Sequence, residues 1–306
     1  MGVKVGVIGV GYLGAHHARI YSELDDAELI GVADADTSRA EEIGGKFHCR
    51  AYRDYEDLIP RADALSIVTP TTTHHDIALR CILAGKDVLV EKPLTTTLAE
   101  ADDLLREAAL RDRVLQVGHL ERFNPVVAAS EGLIKKPRFF ESERLSPFLG
   151  RGTDVDVTLD LMIHDIDIIL SLCHGTVRDI KAVGAPVLTD RIDVSKAWLE
   201  MDNGVSAVIT AGRLSPEKRR VLRIFQESGY IMLDYRNMVV HHYHKDAAGE
   251  IVRDTITTEY KEPLKEELRD FLSSVTHRRR PRVNGEDGRE ALKVALEINR
   301  KIKETL

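Results

Sequence analysis

Three residues in this 306-residue chain have types and spacing suited to moving a proton. Asp160 and His164 lie four apart in a segment, Thr158–Cys173, whose pattern predicts a helix, so they share a face, with Asp167 three residues further on. Carboxylates beside an imidazole fix its orientation and suit it to accept a proton. The rival reading is a solvated acidic face carrying a passive histidine. A metal centre finds little support: one histidine among aspartates is a thin ligand set, without HxxxH or CxxC, and no metal is expected. The third residue is Lys92. It follows the apolar run Asp87–Val90 within Glu91-Lys92-Pro93, where proline stops the strand and fixes the lysine at its end. Held beside a second positive charge, such a lysine has its ammonium destabilised, which suits it to proton transfer from a hydroxyl. Taken alone, the tripeptide reads as a polar turn.

The elements that position these groups begin at the N-terminus. Val3–Ile8 reads as a strand, Gly9-Val10-Gly11-Tyr12-Leu13-Gly14 as a turn, and Ala15–Leu24 as a helix. In the Gly-x-Gly-x-x-Gly order the glycines permit the turn, the approach of a pyrophosphate, and close helix packing. The helix N-terminus then offers unpaired N–H groups to phosphate. The next strand, Glu28–Ala33, ends at Asp34, where a carboxylate accepts hydrogen bonds from adenine ribose hydroxyls and disfavours a 2′-phosphate. That selects NAD over NADP, with Arg39 able to weaken the preference, Asp36 a rival for the ribose, and helix capping an alternative role for Asp34. Strand Ala64–Val68 runs into Thr69-Pro70-Thr71, expected to border the cofactor, and a helix over Asp76–Ala84 follows. His74 and His75 read first as a surface helix start. Helix Leu98–Arg111 and strand Val114–Val117 complete an alternation of strands and helices, which predicts a doubly wound parallel sheet over residues 1–120.

Residues 121–306 read as a second domain, α+β, with a large, mainly antiparallel open sheet. Strands are predicted near Phe139–Leu145, Asp179–Val187, Asp193–Met201, Val205–Leu214, Arg219–Glu227, Tyr230–Asp234 and Met238–His244. Helices follow at Leu264–Thr276 and Glu286–Glu304. Arg122 and Asn124 open this domain and are expected near the substrate. Arg144 and Arg151 flank the irregular stretch Ser146–Asp154 and are the first candidates to grip a diphosphate, with surface salt bridging an equal rival. His241, His242 and His244 read as polar strand surface, and Arg278–Arg282 as a solvated turn rather than a nucleic-acid patch.

Composition excludes several classes. The net charge of −7 gives no general attraction to nucleic acid or anionic membranes. Three scattered cysteines suit a reducing compartment, and no apolar run spans a bilayer, so a cytoplasmic location is expected.

Together, Gly9–Gly14, Asp34, Thr69-Pro70 with His74, Glu91-Lys92-Pro93, Asp160-x-x-x-His164 and Asn284–Gly288 resemble the Gfo/Idh/MocA oxidoreductases over nearly the whole chain. The resemblance implies a Rossmann domain joined to a mixed α/β substrate domain. It implies Lys92 as the catalytic lysine, His164 as the catalytic histidine and Asp160 as its paired acid. The implied reaction is hydride transfer between a sugar or cyclitol carbon and a nicotinamide, in a homodimer or homotetramer. The wording of 118–125 and 156–167 resembles a subgroup that oxidises the 3-hydroxyl of UDP-N-acetylglucosamine-type sugars, whose ketone an aminotransferase consumes for lipid A or surface polysaccharide. A free-sugar or inositol dehydrogenase and a non-catalytic NAD-binding sensor are the alternatives.

Overall fold

The computed structural model describes residues 2–148, 150, 155–227 and 229–306. The first unit opens with β1 (Val3–Ile8), α1 (Tyr12–Glu23), β2 (Ala27–Ala33), α2 (Thr37–Lys46), β3 (Arg50–Tyr52), β4 (Ala64–Ile67), α3 (His74–Leu83), β5 (Asp87–Glu91), α4 (Leu98–Leu110) and β6 (Leu115–Gly118). The strands form one parallel sheet in the order β3-β2-β1-β4-β5-β6. β4 and β5 are buried at every position, as parallel strands covered on both faces must be. The direction of winding reverses between β1 and β4, which opens a crevice at the strand C-termini. Helix starts follow local chemistry. Asp36 caps α2 by accepting from Ser38 and Arg39 N–H, and Thr97 with Glu100 forms a capping box on α4. α3 departs from expectation in beginning at His74, directly after a 3₁₀ turn, Thr71–Thr73.

The second unit contains α5 (Pro125–Glu131), β7 (Pro137–Leu145), α6 (Ile163–Cys173), β8 (Val177–Ala185), β9 (Val194–Met201), β10 (Ser206–Gly212), β11 (Arg219–Gln226), β12 (Gly229–Asp234), β13 (Val239–Lys245) and β14 (Ile251–Thr257). Its sheet runs β14-β13-β12-β11-β7-β10-β9-β8, antiparallel except for the β7–β10 pair. One face packs under α5 and α6 around Phe140, Met162, Ile166 and Ile224. The other carries a ladder of aromatic rings, Trp198–Phe139–Phe225–Tyr230–Tyr243, with neighbouring centroids 5.0–5.8 Å apart.

The chain then folds back. α7 (Pro263–His277) and the start of α8 (Gly285–Lys303) belong with the first unit, which comprises 1–120 and 264–289; the second comprises 121–263 and 290–306. This corrects the division at 120/121 into two continuous blocks. Leu264, Leu268, Phe271 and Leu272 recur at helical spacing on α7 and enter the core formed by Ile20, Tyr21 and Val5. The Gln116 side chain reinforces the return, its Nε2 donating to Glu267 O at 3.1 Å. Among the described residues, no helix is long and apolar enough to cross a membrane.

Candidate active site

The glycine turn is built for a ligand's backbone contacts. Gly9 adopts φ +84°, and a Cβ there would lie 2.6 Å from Val68 O. A Cβ on Gly14 would lie 1.9 Å from Gly9 O, so α1 can approach the turn only without a side chain. Gly11 differs: nothing lies within 4 Å of where its Cβ would be. It is the N-cap of α1 with no side-chain cap, and the first turn carries no acidic residue. The N-terminal N–H groups are therefore left for an anion. Tyr12 stands exposed at this helix start.

Asp34 closes the turn from the neighbouring strand. Its Oδ2 accepts from Val10 N–H at 2.9 Å and its Oδ1 from Asp36 N–H at 2.9 Å. Each oxygen retains acceptor capacity for a ribose hydroxyl. Arg39 reaches Asp34 at 3.8 Å and Asp36 at 3.6 Å. Asp36, the expected rival, is occupied as the α2 cap, which also removes the capping role from Asp34.

Around Lys92, the neighbours Glu91 and His74 are both buried and bonded within the protein. Glu91 is buried: its Oε1 lies 3.2 Å from His17 Nε2, and its Oε2 accepts from Lys92 N–H at 3.2 Å. A Cβ at Gly118, opposite it on β6, would press onto this carboxylate at 2.8 Å. His74, expected at the surface and beside the cofactor, is 1% exposed. Its Nδ1 lies 2.9 Å from Pro93 O and its Nε2 2.9 Å from Thr69 O. Burial pushes the His74 imidazole down, against the two carbonyls, which favour its charged form. Glu91 and His74 thus hold the backbone on either side of Lys92. Thr69 is fixed in turn by Thr73, whose hydroxyl donates to its Oγ1 at 2.8 Å and to Pro70 O at 2.8 Å.

In the second unit, the expected helix over 158–173 begins as a π-type turn, Thr158–Met162, before α6 proper. Asp160 sits in the wide turn and His164 on the first α turn, both half-buried. Wide turns of this kind re-aim side chains and occur often at functional positions. Asp156 steadies the approach, accepting from Ile192 N–H at 3.0 Å and from the Asn299 amide at 3.1 Å.

Beside α6 lies a buried ionic network. Arg144 is 2% exposed; its Nε and one terminal nitrogen donate to Asp165 at 2.7 and 3.1 Å, and the other donates to Glu121 at 3.1 Å. The Tyr235 ring lies beneath the guanidinium at 5.7 Å. Burial disfavours this charge, yet Asp165 and Glu121 outweigh it and hold the Arg144 guanidinium above its usual range. Burial likewise raises Glu121, and the Arg144 and Arg220 charges bring it below the usual carboxylate range.

This corrects the expectation that Arg144 grips a diphosphate, because its charge is spent on two buried carboxylates. Asn124 is also a structural residue: its side chain caps α5 by accepting from Val126 N–H and donates to Glu121. Arg122 pairs with buried Asp167 at 3.2 Å. Arg151 lies outside the described residues. A further half-buried cation that sequence reasoning did not single out is Arg220 on β11. Its bond to Glu121 is long, 3.4 Å, and burial with the Arg144 charge pushes its guanidinium down against the nearby carboxylates. The Arg219-Arg220 pair at a predicted strand start was its only signal.

A parallel sheet in this strand order, an uncapped glycine turn and a carboxylate at the second strand's end define a dinucleotide-binding oxidoreductase. Comparisons with known proteins agree. Residues 3–119 match the profile described as "Oxidoreductase family, NAD-binding Rossmann fold", and residues 132–232 match the "GFO/IDH/MocA C-terminal domain". The chain belongs to the Gfo/Idh/MocA family. It is 38% identical over 303 residues to a UDP-N-acetylglucosamine 3-dehydrogenase of Acidithiobacillus ferrooxidans, covering 97% of this chain and 96% of that one. A solved structure of the enzyme so named from that organism superposes with a TM-score of 0.94 at 36% identity, covering 99% of both chains. A myo-inositol 2-dehydrogenase of Thermotoga maritima is 28% identical, covering 98% of both.

The glycines give a direct test. Gly14→Ala should weaken NADH binding roughly 10- to 100-fold, the equivalent of overpacking by about 1–3 kcal/mol. Gly11→Ala should melt like the parent protein, since its Cβ meets no protein atom. Loss of NADH affinity in that variant, read by fluorescence titration, would report the ligand's own approach; unchanged affinity in both would place the dinucleotide elsewhere.

Proposed function

We propose that this chain oxidises a secondary hydroxyl of a sugar with NAD, and that the sugar is of the UDP-N-acetylglucosamine type, oxidised at its 3-hydroxyl. The observation that carries this reading is the 38% identity, over nearly the whole chain, with a relative of that name. Lys92, Asp160 and His164 support it as groups able to handle the proton. The bound dinucleotide would supply the hydride acceptor, held by Gly9–Gly14, Asp34 and the Thr69–Thr71 segment. His164 takes the hydroxyl proton, and Asp160 orients its imidazole. Lys92 holds the oxygen and steadies the negative charge that grows there. Asp34 favours NAD over NADP by occupying the place a 2′-phosphate would need. Arg220, the cation with the weaker counterion, replaces Arg144 as the candidate to meet the diphosphate. The product ketone suits an aminotransferase of lipid A or surface-polysaccharide synthesis. The aromatic ladder, with Trp198 40% and Phe225 37% exposed, suits a face paired with a second copy of the chain.

The test is nicotinamide reduction with NAD or NADP across a panel of UDP-sugars and free polyols, with a carbonyl trap present because alcohol oxidation is uphill near neutral pH. Turnover with UDP-N-acetylglucosamine and NAD, and none with free sugars, is expected. Turnover with myo-inositol alone would replace the substrate assignment with the activity named for the Thermotoga relative. Silence across the trapped panel would overturn the proposal.

A further inference from the structure

We propose that His242, His244 and Asp254 bind one divalent ion of the zinc, nickel or copper class on the hairpin of β13 and β14, apart from the oxidoreductase chemistry. The strand register builds the site. His242 and His244 are two apart on β13 and share a face. Asp254 stands directly opposite His242 on β14. His241 points to the other face and meets Thr255 Oγ1 at 3.1 Å, so the three histidines do not form one polar surface.

The donor atoms of His242, His244 and Asp254 all lie within 4.8 Å of one another. The two imidazoles stack at 4.6 Å, and His244 Nε2 lies 2.7 Å from Asp254 Oδ2. Gly229 pairs with His244 from β12, and a Cβ there would stand 3.1 Å from His242 Nε2. Glycine thereby leaves the His242 ring its room. Among the described residues this is the one trio of histidine, cysteine or carboxylate side chains that meets this separation.

The donors select the ion. Two imidazoles and one carboxylate suit borderline ions, with water completing the shell; calcium and magnesium call for all-oxygen sets, and thiolate is missing for copper(I). Burial and the neighbouring His244, with Lys135 adding to them against Asp254, push the His242 imidazole down. Asp254, with Lys245 O and Asp246, pushes His244 up. β14 is an edge strand, and an ion shared by both strands would clip it to the sheet.

The experiment uses the full chain, untagged and stripped with chelator, titrated with Zn²⁺ in a calorimeter and with Co²⁺ in a visible spectrometer. One ion per chain is expected, with the d–d bands of nitrogen-ligated cobalt. His244→Gln and Asp254→Asn should each weaken binding at least about 10-fold while leaving the far-ultraviolet dichroism unchanged. Lack of binding by the parent protein, or undiminished binding in a His242→Gln/His244→Gln double variant, would overturn the proposal. Should that double variant misfold, Asp254→Asn alone decides, and undiminished affinity there counts equally against it.

Discussion

Replacing Lys92 with Met is expected to lower turnover about 10²- to 10⁴-fold, the usual worth of a placed proton-transfer group, while NADH affinity changes little. His164→Asn should do the same. The expectation rests on how firmly Lys92 is held. The Glu91 carboxylate accepts its N–H, and Glu91 is itself fixed between His17 and the bare face of Gly118. On the other side, Pro93 O is held by His74. These contacts fix the backbone from which the ammonium projects, and removing that ammonium takes away an interaction that strengthens as charge builds on the reacting oxygen. Lys92→Arg separates the roles: it keeps the positive charge and loses the ready proton exchange of an amine. Activity retained in Lys92→Arg and lost in Lys92→Met marks a positioning cation, leaving His164 as base. Steady-state kinetics with the UDP-sugar, beside NADH titrations of each variant, reads this out. Full activity in both Lys92→Met and His164→Asn would refute the proposed proton handling.

The second large effect is on stability. Arg144→Met should cost about 3–5 kcal/mol, because it strands two buried carboxylates, Asp165 and Glu121, without their shared cation. For a unit of this size that corresponds to a fall of roughly 6–20 °C in melting temperature. Adding Asp165→Leu should recover part of the loss, since it removes one stranded charge. Differential scanning calorimetry of the single and double variants measures both. A melting temperature within 2 °C (about 1 kcal/mol) of the parent in Arg144→Met would show the network to be weakly coupled. The position next to His164 adds interest: Asp165 is the residue Arg144 grips, so the network anchors the very turn that carries the histidine.

The alternation of strands and helices was readable because both signals are local. Val3–Ile8 is a β-branched run, and Gly9, Gly11 and Gly14 each leave a distinct steric signature in the structure. Asp34 lay where the motif requires it. What sequence reading missed was decided by distant partners. Arg144 looks like any exposed arginine until the fold buries it against Asp165 and Glu121. His74 reads as a polar helix start because nothing in its neighbours announces the carbonyls of Thr69 and Pro93. β14 escaped notice because an edge strand with mostly exposed residues carries no two-residue burial period. α7 was legible as a helix, but its allegiance to the first unit was not. Amphipathic spacing states that a face is buried, not against what.

That allegiance has a consequence for synthesis. The ribosome completes β6 early, yet the helix that seals the surface of Ile20 and Tyr21 is encoded only after the whole of 121–263. At about 5–20 residues per second, the nascent Rossmann sheet waits roughly 7–30 s for its own last helix. During that interval an apolar patch stands open beside a growing chain. The dinucleotide-binding unit is therefore made in two instalments, its sheet before residues 121–263 and its sealing helix after them.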